Sequence, residues 1–518
     1  MTVFEIVIAL LLGGAALAAL ARRINVPYPA LLALAGVALA LVPGTPSVAL
    51  DPELALALFV APVLLDAAFD ASPRDLREHW RPVASLALAA VALTVAAVAV
   101  TARWLVPELP WAAAVALGAI VAPPDAAAAT AVLRQLRPPH RLLVVLEGES
   151  LFNDASALLI YRLALIAAAG GALAGWQVVP LLVVVTAGSV VLGLVLSRVM
   201  RFIAGRIRDV ATSVIVQFVG TFAVWLLAER AHLSGILTMV VFAMAVARTA
   251  PDQIPARIRI PSYAVWDVAV FVLNVLAFIL VGLQLKPILG RLGPSGALGY
   301  LGTAAAICAV VILVRIVWVM GGELLGRPLS RSGREPAGRC GSPRNAAVAA
   351  WCGMRGIVTL AAALALPADF PFRDLLLFTA FCVVVGTLVL QGLTLRPLMR
   401  RLGLEHDDAV DREVGLAREE TARAAIAALS GPEEGSEVAR FLRSQYQTRL
   451  SEAEPVGDGR PPGDLIRQTV AAQRRRLIAL RADGTIGDDA FHRVEEELDW
   501  AELNAEFGTI GRIGTGRA

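Results

Sequence analysis

Long runs of apolar residues succeed one another from Val3 to Leu395, broken by short polar stretches. A run of this kind that can cover about 30 Å of hydrocarbon predicts a membrane-spanning helix. The pattern predicts thirteen, over residues 3–20, 28–43, 51–70, 82–105, 111–133, 141–169, 177–200, 211–229, 232–249, 262–283, 297–321, 345–366 and 374–397. The second is short, and the eighth and ninth almost touch at Glu229-Arg230-Ala231, so the pattern alone also allows twelve or fourteen spans. From about Arg400 the character changes to amphipathic helical pieces near 412–430, 437–453, 464–482 and 488–506. The expected organisation is a transmembrane domain over 1–399 and a cytoplasmic helical tail over 400–518, all-α throughout.

Charge on the connecting loops sets the expected orientation. Odd-numbered loops carry basic clusters such as Arg22 and Arg23, Arg74 with Arg77 and Arg81, and Arg198 with Arg201 and Arg206. Even-numbered loops carry isolated cations, among them Arg103, Arg230, Lys286, Arg291 and Arg373. Basic loops stay on the cytoplasmic side. The N-terminus is therefore expected outside and the C-terminus inside, which requires an odd number of spans. The N-terminal run carries Glu5 and is followed, not preceded, by its arginines, so it reads as a first span and not as a cleaved signal.

Composition agrees. Hydrophobic residues make up 57% of the 518 and charged residues 17%, against about 25% charged in soluble domains. Cys308, Cys340, Cys352 and Cys382 show no C-x-x-C spacing, so neither a disulfide framework nor a zinc site is expected. The formal net charge of +3 says little about partners, and no nucleic-acid partner is expected.

Ionisable residues deep in apolar runs cost at least about 2.5–3.5 kcal/mol each to insert, so they are candidates for function. In the fifth run Asp125 follows Pro123 and Pro124. Two prolines remove two backbone donors and clash with the preceding turn, so the helix should break there. Broken membrane helices expose free carbonyls and helix ends around a mid-membrane ion site. The sixth run contains Glu147-Gly-Glu-Ser-Leu-Phe-Asn-Asp154. Ser150 and Asp154 share one helix face at i,i+4, and Glu149 with Asn153 forms a second such pair about 100° away. Carboxylate, hydroxyl, amide and backbone oxygens suit a hard cation such as sodium. Hydrogen bonding between helices would account for Ser150 and Asn153 equally well, but poorly for Asp154. The twelfth run places Arg355 between Gly353 and Gly356, a second weakened helix. A buried guanidinium needs an anion, and Glu149 is the expected partner, since a permanent pair with Asp154 would block an ion site. Runs five and twelve are seven apart, the relation of corresponding broken helices in two inverted halves. Asp66, Arg162, Asp267, Asn274 and Arg315 are the remaining polar groups within runs. For Asp66 a structural and a pathway role stand level, and the others read as structural.

Taken together, Glu149-Ser-x-x-Asn153-Asp154, the break at Asp125, and Arg355-Gly356 ahead of an Ala/Leu-rich helix resemble the sodium/proton exchanger branch of the cation:proton antiporters. The similarity covers about residues 1–400, and Leu477–Asp499 in the tail also resembles bacterial members. The resemblance implies a homodimer in the lipid of the plasma membrane, each subunit with thirteen spans divided into a dimer domain and a six-helix core. It implies no cofactor; the partners are the transported monovalent cation and the proton. Asp154 would be the shared sodium/proton carboxylate, with Asp125 and Ser150 as nearby ligands or orienters and Asn153 as its neutral partner. Glu149 and Arg355 would brace the core as an ion pair, and Asp66 matches an acidic position in the third span. Two positions depart from the family pattern. Pro124-Asp125-Ala126 stands where Thr-Asp-Pro is common, so a threonine hydroxyl is missing, and Asp66 replaces a frequent Glu.

One carboxylate that holds either a proton or a sodium ion gives exchange if the core moves only when that carboxylate is neutralised. Asn153 brings no second charge, so electroneutral exchange is expected. An intramembrane aspartyl protease also needs two aspartates in neighbouring spans, but in Tyr-Asp and Gly-x-Gly-Asp contexts that Asp125 and Asp154 lack. A serine-type intramembrane protease needs a histidine in the membrane, and the five histidines lie in loops, at a span edge or in the tail. A channel would conduct without coupling to a proton gradient.

Overall fold

The computed structural model describes residues 3–24, 26–44, 51–133, 138–169, 175–250, 254–329, 342–404 and 420–427, with isolated positions beyond. It divides into two units, Met1–His406 and Asp407–Ala518. Among the described residues every regular element is helical.

Each of the apolar runs is found in a helix or in a pair of helices. They are α1 (Val3–Ile24), α2 (Tyr28–Leu41), α3 (Ala61–Asp70), α4 (Val91–Leu105), α5a (Trp111–Val121), α5b (Ala126–Leu133), α6 (His140–Ala168) and α7 (Gly175–Ala204). There follow α8 (Val210–Arg230), α9 (Gly235–Ala247), α10 (Ala256–Leu283), α11 (Leu285–Leu329), α12a (Pro343–Trp351), α12b (Ile357–Leu364) and α13 (Arg373–Leu402). Pro52–Ala55 and a π-turn at Leu56–Val60 lead into α3, and Trp80–Ala84 and a π-turn at Ser85–Ala90 lead into α4. Among the described residues, eight helices are long and apolar enough to cross a membrane, and α2, α5a and α9 are shorter apolar helices.

Helix starts follow local chemistry. Pro27, Pro110, Pro139 and Pro255 immediately precede α2, α5a, α6 and α10, where a missing N–H costs nothing. Asp209, Ser234 and Ser342 cap α8, α9 and α12a by accepting from the backbone three residues on. One expectation fails between the tenth and eleventh runs. Residues 284–296 read as a loop, yet only Gln284 interrupts the helix. Pro287 falls in the first turn of α11, where backbone donors have no intrahelical acceptor, so it does not stop the helix.

The helices form two packed groups. α1, α2, α3, α7, α8, α9 and α10 contact one another, as do α4, α5a, α6, α11, α12a, α12b and α13. Contact between the groups runs along α6 with α3 and α9, α12b with the turn leading into α3, and α13 with α2. Gly36 and Gly282 let α2 and α10 approach backbone to backbone, with no room for a methyl group on either. In the second unit, residues 420–427 are helical and Arg423 pairs with Glu420 at 2.7 Å. The tail pieces expected at 464–482 and 488–506 lie outside the described residues except at isolated positions.

Candidate functional site

The two expected breaks are present, and they meet. α5a ends at Val121 and α5b begins at Ala126; α12a ends at Trp351 and α12b begins at Ile357. Between them the Asp125 N–H donates to the Met354 carbonyl at 2.7 Å, joining one interrupted strand of backbone to the other. Gly356 lies so close to Asp125 that a methyl group on it would occupy the place of the Asp125 carboxyl. An unwound helix leaves carbonyls and N–H groups unpaired, at a cost of about 1–3 kcal/mol for each one buried without a partner. This crossing answers part of that cost.

Arg355 answers most of the rest. Its side chain is 1% exposed, and it donates through Nε to the Val121 carbonyl at 2.9 Å and through Nη2 to the Ala122 carbonyl at 3.0 Å. Nη1 donates to the Gly353 carbonyl. The planar guanidinium thus serves the last carbonyls of α5a and one of its own break at the same time. Its backbone N–H donates to Thr387 Oγ1 on α13 at 3.0 Å.

Glu149 corrects an expectation. Its partner is Arg315 on α11, through Nη1 to Oε1 at 2.5 Å and Nη2 to Oε2 at 2.8 Å, with both side chains at most 4% exposed. Arg315 Nε also reaches the Ala349 carbonyl on α12a at 3.2 Å. Arg355, the expected partner, turns to backbone carbonyls, because the two helix breaks present several acceptors within the reach of one side chain. The pair therefore braces α6, α11 and α12a.

On α6, Asn153 is fully buried and its Nδ2 donates to the Pro124 carbonyl in the α5 break at 2.9 Å. Its Oδ1 is buried without a hydrogen bond. Ser156 Oγ donates to the Ala87 carbonyl at 2.6 Å, in the π-turn that leads into α4. Asp154 is 7% exposed, and its carboxylate has no hydrogen-bond or ion-pair partner among the described residues. Ser150 is half-buried one turn before it, and Asp125 is half-buried in the α5 break. Asp66 is half-buried in α3, in the other group of helices. The structure thus ties Asn153, Asp125 and Arg355 into one crossing and leaves Asp154 beside it on α6. Thr387 and the Ala87 carbonyl escaped the sequence reading, since one of three threonines in an apolar helix and a backbone oxygen carry no pattern.

Arg162 pairs with Glu229 on α8, its Nη2 lying 3.2 and 3.1 Å from the two carboxylate oxygens.

The family model for the transmembrane sodium/hydrogen exchangers matches residues 6–401. This chain belongs to the sodium/hydrogen exchanger family. It is an antiporter of the membrane, and not an enzyme. An uncharacterized Na(+)/H(+) exchanger of Mycobacterium tuberculosis is 32% identical over 507 residues, covering 93% of each chain. A sodium, potassium, lithium and rubidium/H(+) antiporter of Bacillus pumilus is 28% identical over 505 residues, covering 92% of this chain and 74% of its own. In fold the exchanger is similar to the sodium proton antiporter MjNhaP1 of Methanocaldococcus jannaschii, with a TM-score of 0.60 at 18% identity over 75% of this chain and 98% of that one.

Proposed function

We propose that this exchanger carries sodium in exchange for protons across the plasma membrane, with Asp154 as the group that binds one or the other. The observation that carries this reading is the contrast between its two neighbouring buried acids. Glu149 is held by Arg315, whereas Asp154 is buried beside the crossing of the broken helices with no hydrogen-bond or ion-pair partner among the described residues. A carboxylate so placed is stable only when neutralised, by a proton or by a cation. Asp125, Ser150 and the carbonyls of the α5 break supply further oxygens for a hard monovalent cation, and Asn153 orients the break without adding charge. Asp66 sits on the path by which ions reach the site. Lithium and potassium fit the same oxygen chemistry, and the Bacillus pumilus relative is named as an antiporter of sodium, potassium, lithium and rubidium.

Exchange then needs the two groups of helices to shift relative to one another only when Asp154 is neutral, so that one ion leaves before the other is taken up. One charge carried each way makes the cycle electroneutral. The working unit is a homodimer, with the N-terminus outside and the tail over 400–518 in the cytoplasm. Neither reaction partner requires a cofactor.

The experiment is Asp154→Asn in reconstituted vesicles, read as sodium-driven movement of protons. The variant should be inactive while still folding. Substantial remaining exchange would remove Asp154 from the mechanism. Clamping the membrane potential tests stoichiometry separately, since net charge movement contradicts electroneutral exchange.

A further inference from the structure

Eight residues beyond Asp154, about 12 Å along α6 at 1.5 Å per residue, Arg162 reaches across the seam between the two groups of helices. Its Nη2 lies 3.2 and 3.1 Å from the two oxygens of Glu229, in the last turn of α8, and its Nη1 points to the Leu233 carbonyl at 3.5 Å. What it grips is a rigid object. The turn between α8 and α9 passes through His232 at φ 57°, a left-handed backbone that bulky residues seldom adopt. The His232 N–H donates to the Glu229 carbonyl at 3.0 Å, and the Leu233 N–H to the Ala228 carbonyl at 2.9 Å. The Ser234 N–H donates to Ser189 Oγ on α7 at 3.0 Å, and Leu233 packs against Gly188. The turn is therefore fixed to α7, α8 and α9 as one piece.

α6 itself is fixed to the other group, packing broadly on α5a and on the turns that lead into α4, and more thinly on α3 and α9. Glu149, Asn153 and Ser156 all bond to elements of that same group. Arg162 reverses the pattern: it bonds across the seam. A shift of one group past the other must break or stretch this contact, while the bonds around Asp154 travel with it.

We propose that Arg162 and Glu229 are positioning residues for exchange, a latch that holds the helix carrying Asp154 against the α8–α9 turn in one of its two working positions and opens in the other. The proposal rests on the reading that Asp154 carries the ions and that the two groups move. Both side chains are 42% exposed, so the latch is weak enough to open in every cycle. A pair of this exposure biases two positions by a modest factor, about twofold to fivefold, and salt weakens it.

The test uses the full chain in proteoliposomes. Glu229→Gln should change the apparent KM for sodium at one face relative to the other by about twofold to fivefold, with less effect at high ionic strength. The charge swap Arg162→Glu with Glu229→Arg should return the ratio towards that of the parent. Arg162→Cys with Glu229→Cys, joined by a short reducible bifunctional thiol reagent, should lose at least about tenfold in exchange and recover it on reduction, with the parent protein treated alike as the control for native thiols. A linked protein that exchanges at the unlinked rate overturns the latch, as does a Glu229→Gln protein with an unchanged ratio between faces. Asp154→Asn, assayed alongside, separates the two ideas. If it is inactive while the linked protein still works, only the latch fails; if it exchanges, the reading beneath the latch fails.

Discussion

Glu149, five residues before Asp154 on α6, and Arg315 form a two-pronged ion pair, 2.5 and 2.8 Å long and almost wholly shielded from solvent. Breaking a buried pair by removing one partner leaves the other charge unpaired, which costs about 3–5 kcal/mol. Glu149→Ala is therefore expected to destabilise the protein strongly. Replacing both partners at once, as Glu149→Gln with Arg315→Met, should cost less than Glu149→Ala alone. Thermal unfolding in detergent checks the order. Equal losses in the two would mean that the pair bears no charge-specific load.

Gly356 has room for a hydrogen and nothing more, because the Asp125 carboxyl fills the space beyond. Gly356→Ala should displace Asp125 from the crossing and weaken sodium-driven exchange by at least about tenfold, the effect of losing roughly one charge-assisted contact. The secondary structure seen by circular dichroism should be retained. Normal exchange by this variant would show that Asp125 need not stand where the structure has it.

Arg355 holds three carbonyls with one planar fork. A lysine keeps the charge but carries its three donors on one nitrogen instead of spreading them along a planar fork, so Arg355→Lys is expected to leave at least one buried carbonyl without a donor. The expected loss is about 1–3 kcal/mol of stability per orphaned carbonyl, measured by thermal melting, together with slower exchange. A full rescue by lysine would mean that charge alone matters at this place.

If sodium and the proton share Asp154, they compete. Lowering the pH by one unit on the face where sodium binds should raise the apparent KM for sodium by up to about tenfold, with an unchanged maximal rate, since each is a tenfold change in one competitor. Stopped-flow or tracer exchange across a pH series tests this. A falling maximal rate at constant KM would place the proton at a different group.

Most of the architecture was legible in the sequence. Apolar runs mark the helices, because a chain in hydrocarbon must satisfy its own backbone and a helix does so locally. The breaks at Pro123-Pro124 and at Gly353–Gly356 were legible for the same reason, since proline and glycine act on the backbone of their own neighbourhood. The Glu149-Ser-Leu-Phe-Asn-Asp154 stretch also showed which side chains share a helix face. The partners were another matter. Glu149 goes to Arg315, 166 positions along the chain, and Arg355 goes to the carbonyls of Val121 and Ala122. Sequence pattern can say that a buried charge needs a counterpart, but which one it meets depends on how helices far apart in the chain cross. The same holds for Asp125 against Gly356, for Ser156 against the carbonyl of Ala87, and for Arg162 against Glu229. Periodicity and helix breaks are local properties of the chain; the sharing of buried donors and acceptors is decided only when the helices have packed.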